Sequence, residues 1–204
     1  MSEQSEEPQQ QQEMPYPLAF KGELDEPLSQ LRWIVKMFLL VPHFVVLLFL
    51  FLGFALAWVI SLFAILFTGR YPRRLFDFNL GVLRWTWRVW FYGLGAGATD
   101  RYPPFTLKAV DYPADLDVPY PQKLSRGLVL IKWWLLALPQ YMVVCILGYL
   151  IFMITGFAQL AVFLTERYPR DKFDSVLDMN RWVYRVAAYA ALMTDRYPPF
   201  RSGE

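Results

Sequence analysis

Four arginines at helical spacing, Arg84 with Arg88 and Arg181 with Arg185, are the residues best suited to chemistry. Guanidinium groups at i and i+4 share one helix face, and each presents a planar fork of donors that matches a phosphate or carboxylate. Two such pairs fit anionic lipid headgroups or an acidic partner surface. The plainer reading is an anchor: the same arginines hold a helix at a membrane surface and pair with Asp77 and Asp174. His43, beside Pro42, is the only histidine and Cys145 the only cysteine. Histidine-dependent nucleophilic catalysis would have to pass through His43, and neither an intrachain disulfide nor a multi-cysteine metal site can form. His43 reads either as a functional buried polar site at membrane depth or as a neutral side chain bonded to a helix carbonyl. Cys145 reads as apolar filler. No P-loop, nucleophile elbow, dinucleotide fingerprint or metal cluster occurs, so no catalytic, cofactor-binding or metal residue is expected. Nucleic acid is not an expected partner, because net charge is only +2 and the arginines are interleaved with tryptophans.

The elements that position these groups are apolar. Hydrophobic residues make up 56% of the 204 and charged ones 19%, which excludes an ordinary soluble domain. Met37 to Gly69 and Trp133 to Thr165 carry no charge, and each is 33 residues long. About 18 such residues already signal a membrane segment. Residues 1–14 are acidic and glutamine-rich and read as a disordered tail, not a signal peptide.

The chain also repeats itself. Of the 25 positions from Thr68 to Tyr92, 13 are identical in Thr165 to Tyr189. Arg70-Tyr71-Pro72-Arg73 returns as Arg167-Tyr168-Pro169-Arg170, and Thr99-Asp100-Arg101-Tyr102-Pro103-Pro104-Phe105 returns as Thr194 to Phe200. This is a duplication with a period of about 97 residues. The run Phe63 to Arg73, with Thr-Asp-Arg-Tyr-Pro-Pro-Phe closing each copy, resembles the bacterial membrane proteins grouped as domain of unknown function 4389. The resemblance covers roughly Trp33 to Phe200. It implies a multi-pass membrane protein and brings no activity, substrate or catalytic residue. Copy 1 has the Pro42-His43 pair usual for that family, whereas copy 2 has Pro139-Gln140.

A chargeless segment of this length would be about 50 Å long as one helix, against a hydrocarbon core of about 30 Å. It therefore predicts either a hairpin turning near Gly53 and Gly148 or a long helix kinked at Pro42 and Pro139. Charge placement favours the hairpin. All 20 Lys and Arg residues lie outside the two segments, 3 before, 10 between and 7 after, and an even number of crossings per copy keeps them on one side. Thr-x-Arg-Tyr-Pro occurs four times and reads as a helix exit at the bilayer surface. Arg70, Arg101, Arg167 and Arg196 would snorkel there, with Tyr71, Tyr102, Tyr168 and Tyr197 in the aromatic belt. Lys36 and Lys132 are expected to snorkel as well. Residues 75–98 and 172–193 become amphipathic helices lying along the membrane.

The expected fold is thus an all-α integral membrane protein, a tandem pseudo-symmetric repeat. Each copy is a transmembrane hairpin or kinked long helix followed by an interfacial helix. Repeat 1 spans 15–105, a linker 106–122, and repeat 2 123–204. The proline-rich linker is extended and pairs with Pro17 to Leu24 as surface strands. The cytoplasmic membrane, with cytoplasmic termini, is the expected location. Membrane lipids and other membrane subunits or a second copy are the expected partners. The expected role is a non-enzymatic structural or accessory subunit, with lipid or amphiphile binding at the arginines as the alternative.

Overall fold

The computed structural model describes residues 16–29 and 32–200, without the side chains of residues 32–34. The expected tail at 1–14 lies outside the described residues. Helix α1 (Arg32–Thr68) leads into α2 (Arg73–Tyr92). After the linker, α3 (Leu128–Ile131), a π-helical turn (Lys132–Leu136) and α4 (Leu138–Thr165) lead into α5 (Arg170–Ala190). Strands β1 (Ala19–Gly22) and β2 (Ala114–Asp117) pair antiparallel, Ala19 opposite Asp117 and Gly22 opposite Ala114. The expected strand pairing between the N-terminal segment and the linker is therefore present, and the fold is helical with one small sheet.

The hairpins are not formed. Gly53 and Gly148 are both helical, and α1 runs unbroken for 37 residues. A lone glycine costs a helix only about 1 kcal/mol, and no polar or proline residue beside either one offers the backbone an alternative. The two copies treat their shared proline differently. Pro42 lies inside α1, whereas Pro139 lies in the first turn of α4, where its missing N–H leaves no hydrogen bond unmade. Both Val35–Thr68 and Leu138–Thr165 are long and apolar enough to cross a membrane.

Each long helix stops the same way. Gly69 (φ +71°) and Glu166 (φ 58°) take the left-handed conformation, their amides bonded to Ile65 and Val162 carbonyls. Pro72 or Pro169 then starts the next helix. Within each copy the second helix packs against the first, in copy 1 through Leu40 against Gly93, Trp85 bonded to His43, and Phe78 over Gly53. The copies meet at equivalent residues, Trp87 and Tyr184, whose rings lie 5.4 Å apart with Phe20 of β1 against both.

Candidate functional site

Arg84 and Arg88 project from one face of α2, and the linker closes over them. Arg84 Nε lies 2.9 Å from Asp115 Oδ1 and donates to the Leu116 carbonyl, while Nη2 lies 3.0 Å from Asp117 Oδ1. Arg88, fully buried, donates to the Lys108 carbonyl at 3.0 Å and to Asp115 at 3.1 Å. Burial pulls the Arg88 pKa down from its usual value, and Asp115 opposes that shift. Gly81 lets the strap approach, since a Cβ there would sit 2.7 Å from Leu107. The expected partner Asp77 instead pairs with Arg73 at 3.0 Å.

The second pair is arranged differently. Arg181 pairs with Asp178 on its own helix at 2.6 Å and is partly exposed. Arg185 is 5% exposed, with its guanidinium 5.6 Å from the Tyr16 ring. Burial lowers its pKa, and Arg181 adds to that shift. Asp174, the other expected partner, is exposed on α5.

His43 is structural in geometry. Its Nδ1 accepts a hydrogen bond from Trp85 Nε1 at 3.1 Å, and its ring stacks on Phe105 at 4.1 Å. In copy 2, Trp182 Nε1 donates to Gln140 Oε1 at 2.9 Å. Histidine and glutamine thus meet one requirement, an acceptor for a buried indole. Gln140 also donates to the Pro198 carbonyl, whereas His43 Nε2 has no partner among the described residues.

The four Thr-x-Arg-Tyr-Pro exits divide. Arg70, Arg101, Arg167 and Arg196 are exposed, as expected of interface anchors, and Tyr102 is 40% exposed with its hydroxyl bonded to the Leu39 carbonyl. Tyr197 is half-buried against Tyr189 and Phe200. Tyr71 and Tyr168 depart from the expectation, being 1% and 3% exposed. Tyr71 donates to the Ala191 carbonyl of copy 2 at 3.4 Å, and Tyr168 to the Ala96 carbonyl of copy 1 at 2.9 Å. They are reciprocal cross-links between the copies, set inside because Pro72 and Pro169 turn the chain back over the core. Gln159 adds another, donating to the Gly97 carbonyl. Gly97 suits that approach, since its φ is +64° and a Cβ would meet Gln159 at 2.3 Å.

Lys36 and Lys132 do not snorkel. Both are buried, and each reaches the closing motif of its own copy. Lys36 Nζ lies 2.9 Å from Asp100 and donates to the Thr99 carbonyl, while Lys132 Nζ lies 2.7 Å from Asp195 and donates to the Thr194 carbonyl. The same aspartates accept the Ser29 and Ser125 amides. Burial lowers the Lys132 pKa, opposed by Asp195. Sequence reasoning missed these latches, although a lysine and an aspartate recurring at equivalent positions was the available signal.

Between α1 and α2 lies an open apolar cleft of about 300 Å³, lined by Phe44, Leu47, Leu48, Phe51, Thr86, Val89 and Trp90. Its one hydroxyl, on Thr86, is taken by the Val82 carbonyl. The other side chains that line it are apolar. A family model described as domain of unknown function (DUF4389) matches residues 30–106 and 129–202. Neither a curated protein nor a solved structure matches the chain.

Proposed function

We propose, for a chain that belongs to the DUF4389 family and carries that unit twice in tandem, a non-enzymatic role as a structural or accessory subunit at a membrane. The observation that carries this reading is the use made of the polar side chains. Arg84, Arg88, Lys36, Lys132, Tyr71, Tyr168 and Gln140 each bond to another part of the same molecule, and one His43 nitrogen does so as well. The exposed faces of the two long helices are apolar, from Phe38 to Phe67 on α1 and from Met142 to Leu164 on α4. An internally bonded body with two long exposed apolar helix faces suits packing against lipid and other membrane components.

The positive-inside rule places its basic residues, and hence both termini, on the cytoplasmic side of the cell membrane. Solubilisation of native membranes in mild detergent tests the role. The expected result is migration in an assembly larger than one chain, with other membrane proteins or second copies cross-linked to it. A lone monomer under those conditions overturns it.

Lipid headgroup contact is the second reading, and the geometry narrows it. Arg84 and Arg88 are held by the linker and Arg185 is buried, which leaves Arg181 and the exposed Arg70, Arg101, Arg167 and Arg196 to meet phosphate. Arg181→Gln should weaken binding to anionic vesicles. Unchanged binding removes Arg181 from this reading.

A further inference from the structure

We infer that α1 and α4 do not cross the bilayer but lie within one leaflet as the apolar floor of the molecule. This placement rests on the proposed membrane role and specifies how the lipid surface is met. The occupant of the exposed face is lipid hydrocarbon.

The first argument is the layout of α1. Its buried positions, Lys36, Leu40, His43, Leu47, Ala57, Ser61 and Ile65, recur every three or four residues, with one gap of about three turns between Leu47 and Ala57, and form one stripe along the helix. The opposite face is exposed and apolar throughout, through Phe38, Val45, Leu52, Ile60 and Phe67. A crossing helix is flanked by polar groups at its two ends. Here charged groups come near the buried stripe at its middle as well as at its two ends. Lys36 meets Asp100 at the start, and Gly69 accepts the Leu124 amide beside Arg126 at the end. At the midpoint Phe78 packs on Gly53, and its neighbour Asp77 forms an ion pair with Arg73 that is half-exposed or more.

Gly53 lies about 25 Å from Lys36 and about 22 Å from Thr68 along the axis, at 1.5 Å per residue. A crossing centred on Gly53 would hold the Arg73–Asp77 pair near the middle of a hydrocarbon core about 30 Å thick. Charges at that depth are strongly disfavoured unless protein or water surrounds them, and both side chains of this pair are half-exposed or more. Sliding the helix to bring that pair to the surface would leave half of the apolar face in water. With the axis in the membrane plane neither penalty arises. The residues of α2 that meet α1 (Phe78, Trp85, Val89) and those that meet the linker and sheet (Arg84, Trp87, Arg88) fall on different faces. The charged linker therefore stays on the water side.

The second argument is independent of packing. The distribution of 3, 10 and 7 basic residues favours an even number of crossings per copy, since an odd number would put ten on each side. Two crossings need a turn near Gly53 and Gly148, and both are helical. The even number that remains is zero. It also gathers the exposed Arg70, Arg101, Arg167 and Arg196 at one interface, where four equivalent motifs belong.

Single cysteines in a Cys145→Ser background of the full chain, inserted into vesicles of defined orientation, test this. Glu23→Cys and Arg74→Cys flank α1, and a membrane-impermeant maleimide should label both from the same side, in a ratio near one. Fluorophores at Phe38→Cys, Leu52→Cys and Phe67→Cys, quenched by spin-labelled lipids, should report one shallow depth. Labelling of the two flanks from opposite sides, or a depth maximum at residue 52 with shallow ends, overturns the in-plane placement. Labelling of residue 52 from the far side also overturns it, in favour of a hairpin. Failure to float with vesicles at neutral pH would instead overturn the membrane role, so the two failures are distinguishable.

Discussion

One arginine pair, inherited twice, ends in two different environments. In copy 1, Arg84 and Arg88 are the posts to which the linker is tied through Asp115 and Asp117. In copy 2, Arg181 turns to Asp178 on its own helix and Arg185 lies beneath Tyr16, and no equivalent of the linker crosses them among the described residues. The difference comes from the chain downstream of each copy, since the helices that bear the arginines are closely alike. A spacing that predicts a phosphate clamp is therefore a structural strap in one setting and a half-open cationic surface in the other.

Breaking the contacts that join the copies should have the largest effect. Burial raises the pKa of Tyr71 and Tyr168, which join the copies, and pushes that of Tyr189, packed against Tyr197 within copy 2, up to about 12. An unfolded tyrosine ionises near 10. Below about pH 10 both states keep their protons and stability is flat; above it the unfolded chain releases protons that the folded one retains, and stability falls through about pH 12. Unfolding midpoints in detergent should drop steeply over that window, and Tyr168→Phe with Tyr189→Phe should make the slope shallower. An unchanged slope would show that these hydroxyls do not carry the effect.

The arginine comparison comes next. Arg88→Gln removes one of the two buried guanidiniums that hold Asp115, at a cost of up to about 3 kcal/mol, the low end for a broken buried pair because Arg84 keeps its own contact with Asp115. Linker residues 106–117 should become sensitive to protease. Arg181→Gln breaks a pair with one half-exposed member and should cost about 1 kcal/mol or less. Equal losses in thermal unfolding would erase the distinction between the copies.

The histidine–glutamine exchange ranks third. His43→Leu strands the Trp85 indole N–H, at about 1–3 kcal/mol. His43→Gln supplies the acceptor that copy 2 already uses and should stay within about 1 kcal/mol of the parent. A glutamine variant as unstable as the leucine variant would mean that His43 does something Gln140 does not.

The duplication, the apolar helices and the edge strands were legible because each leaves a local pattern: identity at a fixed offset, absence of charge, or prolines that hold a linker extended. Both the Lys36–Asp100 latch and the arginine strap were not, because their partners are 64 and 27–33 residues away and periodicity carries no information at that range. Tyr71 illustrates the limit. An Arg-Tyr-Pro exit is the same string at a lipid interface and at a buried turn, and only the return of α2 along α1 decides between them. The expected hairpin failed for a related reason, since charge counting constrains the parity of crossings and cannot separate two from none.

The smallest effect isolates the backbone. Gly69 and Glu166 close equivalent helices at φ +71° and 58°, yet only the glycine is at ease there. A side-chain-bearing residue in the left-handed region loses about 1–2 kcal/mol to the contact between its Cβ and the following carbonyl. Glu166 is exposed, and its side chain has little packing to lose. Glu166→Gly should therefore stabilise the protein by about 1 kcal/mol, less the extra entropy that glycine gives the unfolded chain. Gly69→Ala should destabilise by about as much, with a Cβ 3.4 Å from the Leu124 carbonyl oxygen. Opposite signs at two positions of one repeat would show that copy 1 has the better helix stop. The same sign at both would mean that the glutamate side chain stabilises the α4 exit by more than its backbone strain costs.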